Sequence, residues 1–188
     1  MEYCLHTPCT AQDLAPLRAG DTVRLSGVVY TARDQAHARM AAALAAGEAL
    51  PFDLVGSANY YVGPTPEKPG DVIGSAGPTT AGRMDAFSPR LLDLGNKIMI
   101  GKGKRSAAVK EAVVRNGAVY LAALGGAGAL MAQSVKQLEI IAWPDLGCEA
   151  VRRLEVVDMP LTVVLDAQGG DLYESGPAAY QAGQGTAR

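Results

Sequence analysis

The sequence predicts a layered α/β domain, and three observations carry that reading. Strand-like runs recur at 21–30, 52–63, 71–77, 97–101, 118–124, 136–143 and 161–174. Helical patterning is confined to 31–46, 88–95 and 106–115. The two kinds do not alternate strictly, as a doubly wound parallel sheet would require.

Taken in order, DTVRLSGVVY is a β-branched run, and Thr31 and Asp34 after it form a T-x-x-D capping box. The box opens a helix over the Ala/Met-rich QAHARMAAALAA, which Gly47 stops. FDLVGSANYYVG leads into the Pro-rich loop PTPEKPG at 64–70, and DVIGSAG reads as a strand beyond it. A short helix over 88–95 precedes the strand KIMIG, and Ser106 to Arg115 forms a helix with Asn116-Gly117 as its C-cap signal. AVYLAAL and KQLEIIAW are further strands, and the run 161–174 folds into a hairpin around Gln168-Gly169-Gly170. The C-terminus is expected to fray from about 176, and no repeat or linker divides the domain at 1–188.

At 188 residues the chain buries roughly 70% of its unfolded surface without a metal or staple. Net charge is −2 and no basic block is present, which argues against nucleic acid as a partner. No run approaches the ~20 apolar residues of a membrane span, and MEYCLHTPCTAQDL lacks a basic flank with an apolar stretch, so a soluble cytoplasmic protein is expected. Cys4, Cys9 and Cys148 are too few and wrongly spaced for a disulfide framework or a metal site.

Glycine-rich segments raise the question of a nucleotide. GKGKRS at 101–106 lacks the P-loop spacing, and GGAGAL at 125–130 lacks G-x-G-x-x-G. The helix starts point elsewhere. Arg33 follows the Thr31 cap, and Arg83 stands three positions after Thr80 in GPTTAGRMD, where Thr79 or Thr80 caps a turn. A cap hydroxyl, free helix N–H groups and one guanidinium make a receptor for a carboxylate, and two such receptors suit a small dicarboxylate. Lys102 would leave a strand end as a third cation, and Asp85 would orient Arg83. From spacing alone, surface cations beside ordinary caps account for such a pattern more often than not. His37 lies one turn beyond Arg33, where a lone histidine is more often structural or solvated than catalytic. Tyr60 and Tyr61 carry no assigned role.

SGVVYTARDQAHARM, YVGPTPEKPGDVIGSAGPTTAGRMD and MIGKGKRS together resemble the β subunit of two-subunit class I (iron–sulfur) fumarases. That unit corresponds to the C-terminal part of single-chain class I fumarases and is similar to the β subunit of L-tartrate dehydratase. The resemblance runs from about LHTP to VVLDAQGGDLY. It implies a swivelling β/β/α domain with a mixed sheet and the reversible hydration of fumarate to (S)-malate. It further implies a [4Fe-4S] cluster held by cysteines of a separate α subunit, and an αβ pair doubled to a heterotetramer. By the same resemblance Arg33 and Arg83 hold substrate carboxylates, and Lys102 is a further contact. Thr79 moves the C3 proton, with His37 and Asp34 as local candidates to activate it, and Thr80 and Gly82 complete the substrate-binding set. The family pattern K-G-N reads Lys102-Gly103-Lys104 here, and Ala81-Gly82 before Arg83 favours fumarate over tartrate. A tartrate or related hydroxy-acid dehydratase is the alternative enzyme, and a dicarboxylate-binding assembly module the non-enzymatic one.

Overall fold

A computed structural model describes residues 1–124 and 126–184. Its elements in chain order are β1 (Glu2–His6), α1 (Ala11–Leu14), β2 (Thr22–Thr31), α2 (Asp34–Ala46), β3 (Ala58–Tyr60), α3 (Ser88–Asp93) and β4 (Ile98–Gly101). There follow α4 (Ala107–Asn116), β5 (Val119–Ala122), α5 (Gly128–Ser134), β6 (Val135–Ala142), β7 (Val151–Leu165) and α6 (Leu172–Gln184). Short 3-10 turns occupy Ala81–Met84 and Pro144–Glu149.

The strands form one mixed sheet in the order β1-β2-β3-β4-β5-β7-β6, and β2 also pairs with β7. That extra pairing closes β2, β3, β4, β5 and β7 into a ring. β1 to β5 pair in parallel, whereas β7 runs antiparallel to β2, β5 and β6. Parallel neighbours place the carboxyl ends of β2, β3 and β4 along one edge, the position where open α/β sheets meet ligands.

Strand alternation divides the core. Ile98 and Ile100 of β4 and Val119 and Leu121 of β5 pack with Val23, Leu25 and Val29 of β2. The intervening Met99 and Tyr120 pack with Val109, Ala112 and Val113, the i, i+3, i+4 face of α4. With both faces covered, β4 is buried at every position. α2 and α4 end at Gly47 and Gly117, both in the left-handed region at φ 71 and φ 57, as the glycine stops predict.

Several expectations are corrected. Thr31 does not cap α2: it is the last residue of β2, where its buried hydroxyl donates to the Ala150 carbonyl at 3.2 Å and accepts the Arg152 N–H at 3.0 Å. Arg33 is the N-cap residue instead, without a side-chain cap bond. Residues 71–77 are not a strand; Ile73 and Ala76 are buried, but that segment is an irregular lining of the core. The hairpin around Gln168-Gly169-Gly170 shrinks to one bridge between Leu165 and Asp171, after which the chain turns into α6. That helix covers most of the tail expected to fray from 176; residues 185–188 lie outside the described residues. Among the described residues no helix is long and apolar enough to cross a membrane.

Candidate active site

Arg33 leaves the carboxyl end of β2, its side chain 18% exposed. Its guanidinium packs so closely on Gly63, beyond the carboxyl end of β3, that a Cβ there would lie 2.7 Å from an Arg33 terminal nitrogen. The carboxylate receptor expected here holds a carboxylate of the chain itself. Glu149 places one oxygen 3.2 Å from the Arg33 guanidinium and accepts the Gln35 N–H, in the first turn of α2, at 3.0 Å. A guanidinium and a helix N-terminus thus bind one anion together. Asp34 is a second, longer partner of Arg33 at 3.7 Å. Nothing in DLGCEA announces Glu149, because its partners lie more than a hundred residues away.

The GPTTAGRMD segment is fastened to the same edge by main-chain bonds. Pro78 bridges Val62 in antiparallel fashion, and the Thr79 N–H and hydroxyl both donate to the Tyr61 carbonyl at 2.8 Å. Thr80 and Lys102 form a parallel bridge, with the Lys102 N–H donating to the Thr79 carbonyl at 3.2 Å and the Ala81 N–H to the Lys102 carbonyl at 2.8 Å. Gly101 lets this happen, since a Cβ there would sit 2.9 Å from the Tyr61 ring and 3.1 Å from the Ala81 methyl. Thr79 is half-buried and Thr80, Gly82, Arg83 and Lys102 are exposed. Arg83 lies in the 3-10 turn Ala81–Met84, and neither it nor Lys102 pairs with a carboxylate among the described residues. Asp85 does not orient Arg83. It receives the Arg105 Nε–H and the Ser106 N–H, each at 2.6 Å.

His37 takes a different place from its neighbours. It is buried in α2, with Nδ1 2.9 Å from the Arg33 carbonyl and the ring edge-on to Tyr61 at 5.4 Å. Burial, with the nearby Arg105 charge adding to it, pushes its pKa down to about 4, so the imidazole is neutral near pH 7. Nδ1 then carries the proton it donates to Arg33, and the buried Nε2 accepts from no group among the described residues. Two cavities of about 570 and 290 Å³ lie elsewhere, one between the 65–75 loop and α5, the other between α2 and α3. Neither is lined by Arg33, Thr79, Arg83 or Lys102.

The family model for the fumarase C-terminus matches residues 2–176. The chain belongs to this family. It is 41% identical over 168 residues to fumarate hydratase 2 of Leishmania major, covering 86% of this chain and 29% of that one. It is 38% identical over 165 residues to the aerobic class I fumarate hydratase of Salmonella typhimurium, covering 87% and 28%. The L(+)-tartrate dehydratase β subunit of Escherichia coli matches at 33% over 177 residues, covering 92% and 87%. The chain therefore spans under a third of the fumarate hydratases it matches, but nearly all of the tartrate dehydratase subunit.

An iron–sulfur cluster, which the resemblance to class I fumarases implies, does not fit the thiols of this family member. Cys9 is buried, its Sγ 3.4 Å from the His6 carbonyl, and burial pushes its pKa up to about 11, against the thiolate a metal needs. Cys4 and Cys148 are exposed on β1 and on the 3-10 turn before β7. Among the described residues no three His, Cys, Asp or Glu side chains group as metal ligands.

Proposed function

We propose that the chain is the β subunit of an iron–sulfur hydro-lyase that hydrates fumarate reversibly to (S)-malate. The observation that carries the reading is the convergence of Arg33, Thr79, Arg83 and Lys102 on one sheet edge, in a chain of the fumarase C-terminus family. Two exposed cations, Arg83 and Lys102, with Arg33 held by Glu149 beside them, suit a dicarboxylate that a second protein encloses.

Dehydrating malate breaks a C–H bond beside one carboxylate and a C–O bond beside the other, leaving a double bond and water. Negative charge grows on the carboxylate next to the deprotonated carbon, and on this reading Arg83 and Lys102, with Arg33 as it leaves Glu149, pair with the substrate carboxylates. Thr79 commits its hydroxyl proton to the Tyr61 carbonyl, leaving oxygen lone pairs to accept from substrate. A threonine hydroxyl is a weak base near neutral pH, so Thr79 needs an activating neighbour. His37 is too enclosed to supply that by contact, and its place is behind Arg33, holding the first turn of α2; Asp34 stands closer to the rim. With no ligand set for a [4Fe-4S] cluster here, the cluster is assigned to a cysteine-bearing α subunit, in a cytoplasmic heterotetramer.

The L(+)-tartrate dehydratase reading is favoured by one observation, the near end-to-end match to that enzyme's β subunit. Ala81-Gly82 before Arg83 favours fumarate. Turnover of (S)-malate and of tartrate by the enzyme assembled with its α subunit decides between them. Preferred malate turnover is expected. Dicarboxylate binding without turnover of either substrate would make the chain an assembly module and overturn the enzyme reading.

A further inference from the structure

Arg105 belongs to the GKGKRS run that fails as a P-loop, and its side chain is fully buried at 0% exposure. The guanidinium lies between two aromatic rings, 5.3 Å from the centre of Tyr61 and 5.0 Å from that of Tyr120. Nε donates to Asp85 at 2.6 Å, one terminal nitrogen to Ser88 Oγ at 2.7 Å and the other to Met99 Sδ at 3.3 Å.

These contacts lead to the proposed catalytic edge from several sides. Asp85 is two residues beyond Arg83 in the chain. Ser88 Oγ donates to the carbonyl of Met84, which adjoins Arg83, at 2.9 Å. Tyr61 supplies the carbonyl that holds Thr79. The Tyr120 hydroxyl donates at 3.1 Å to the carbonyl of Gly103, beside Lys102. A buried ion pair adds little net stability over an apolar replacement of similar volume, but a planar guanidinium fixes several partners in one geometry. The 3-10 turn that carries Arg83 has no side-chain cap of its own. Its far end is therefore tied down by the Asp85–Arg105 pair.

We infer that Arg105 is a positioning residue for the hydration site: enclosed away from substrate, it sets the placement of Arg83 relative to Thr79 and Lys102 through Asp85, Ser88, Tyr61 and Tyr120. The inference rests on the proposed carboxylate role of Arg83.

The test is a double-mutant cycle on the assembled αβ enzyme, comparing wild type, Arg105→Lys, Arg83→Ala and the double variant. Lysine keeps the charge but loses the fork. Arg105→Lys is expected to raise KM for malate roughly tenfold, the scale of a sub-ångström misplacement, with a smaller change in kcat. In the Arg83→Ala background the same change should add clearly less than in wild type, because the main group it positions is gone and only the routes through Tyr61 and Tyr120 remain. Amide exchange of Thr79, Ala81 and Ser106 should quicken in Arg105→Lys while that of β4 and β5 stays slow. An unchanged KM with reduced kcat, or effects that multiply across the two sites, means a purely structural role and overturns the inference. If Arg105→Lys does not fold, Ser88→Ala removes one arm of the fork, and KM should rise by about two- to threefold; an unchanged KM there is equally fatal. Wild-type kinetics in Arg83→Ala would instead refute the carboxylate role itself, an outcome distinct from the failure of Arg105 alone.

Discussion

Lowering pH should weaken this fold through His37, and the size of the effect follows from where the ring sits. The imidazole is buried, with its pKa moved from 6.5 to about 4. Burial is the largest cause, and the Arg105 charge pushes the same way. The Arg33 carbonyl and the Asp34 charge pull it back up. Tyr61 and Phe87 enclose the ring, and Arg90 of α3 lines the cavity it shares. The folded state therefore takes up its proton later than the unfolded chain. The resulting stability is complete above about pH 6.5 and is lost as pH falls toward 4. A shift of this size corresponds to roughly 3 kcal/mol, at about 1.4 kcal/mol per unit. Urea melts of wild type and His37→Asn between neutral pH and pH 4 isolate the effect, because asparagine keeps a donor for the Arg33 carbonyl and cannot titrate. His6, the other histidine, is present in both proteins. The stability difference between the two should narrow by up to about 3 kcal/mol on acidification. Parallel pH profiles, or an NMR titration of His37 near 6.5, would refute the reasoning.

On the proposed reading, Arg83→Ala in the enzyme assembled with an α subunit should lower kcat/KM by at least about 100-fold, the scale of ~3 kcal/mol for a lost charged contact; a near-normal value removes Arg83 from the site. Gly63→Ala sets a methyl against the Arg33 guanidinium, so hydratase activity should fall while the melting temperature of the chain changes little. Thr31→Val strips two long-range hydrogen bonds from a buried hydroxyl and should cost about 1–3 kcal/mol in a denaturant titration, despite leaving helix capping untouched. Thiol alkylation followed by mass spectrometry should label Cys4 and Cys148 well before Cys9, whose burial and raised pKa both suppress the thiolate.

What the sequence revealed of the fold depended on how local the deciding partners were. The pattern T-x-x-D occurs twice, as TAQD at 10–13 and TARD at 31–34. The first forms a true capping box, Thr10 and Asp13 bonding each other's N–H groups, because nothing else claims Thr10. The second fails because β7, more than a hundred residues on, takes the Thr31 hydroxyl into the sheet. Strands buried on both faces, such as Ile98–Gly101, announce themselves by composition. Two others do not: the edge strand β1 alternates exposed and intermediate positions, and the first half of β7, though inside the sheet, mixes Arg152, Arg153 and Glu155 into its run. β7 also bends at Asp158, which has φ 51, next to the register shift against β2. No short window of sequence contains that bend's cause.

The same distinction explains which parts of the site could be read. Arg33, Thr79, Arg83 and Lys102 sit in compact motifs at element ends, and main-chain bonds carry them to one edge almost regardless of side chain. Glu149 and Arg105 act through tertiary contacts, so the first went unseen and the second was visible only as part of a failed nucleotide motif. A division of labour follows. Thr79 and Lys102 owe their placement to the backbone, and substitutions there should change chemistry more than geometry. The side chain of Arg33 is further held by a carboxylate, Glu149, and on the inference above the turn bearing Arg83 is held by the Asp85–Arg105 pair. Arg33 meets Glu149 directly, so on the proposed reading an incoming substrate carboxylate must share or displace an anion already in place. Arg83 has no such competitor among the described residues, and its partner pair lies behind it. On the proposed reading Arg83 is then the first cation to capture a dicarboxylate, and Arg33 the one that engages as the site closes.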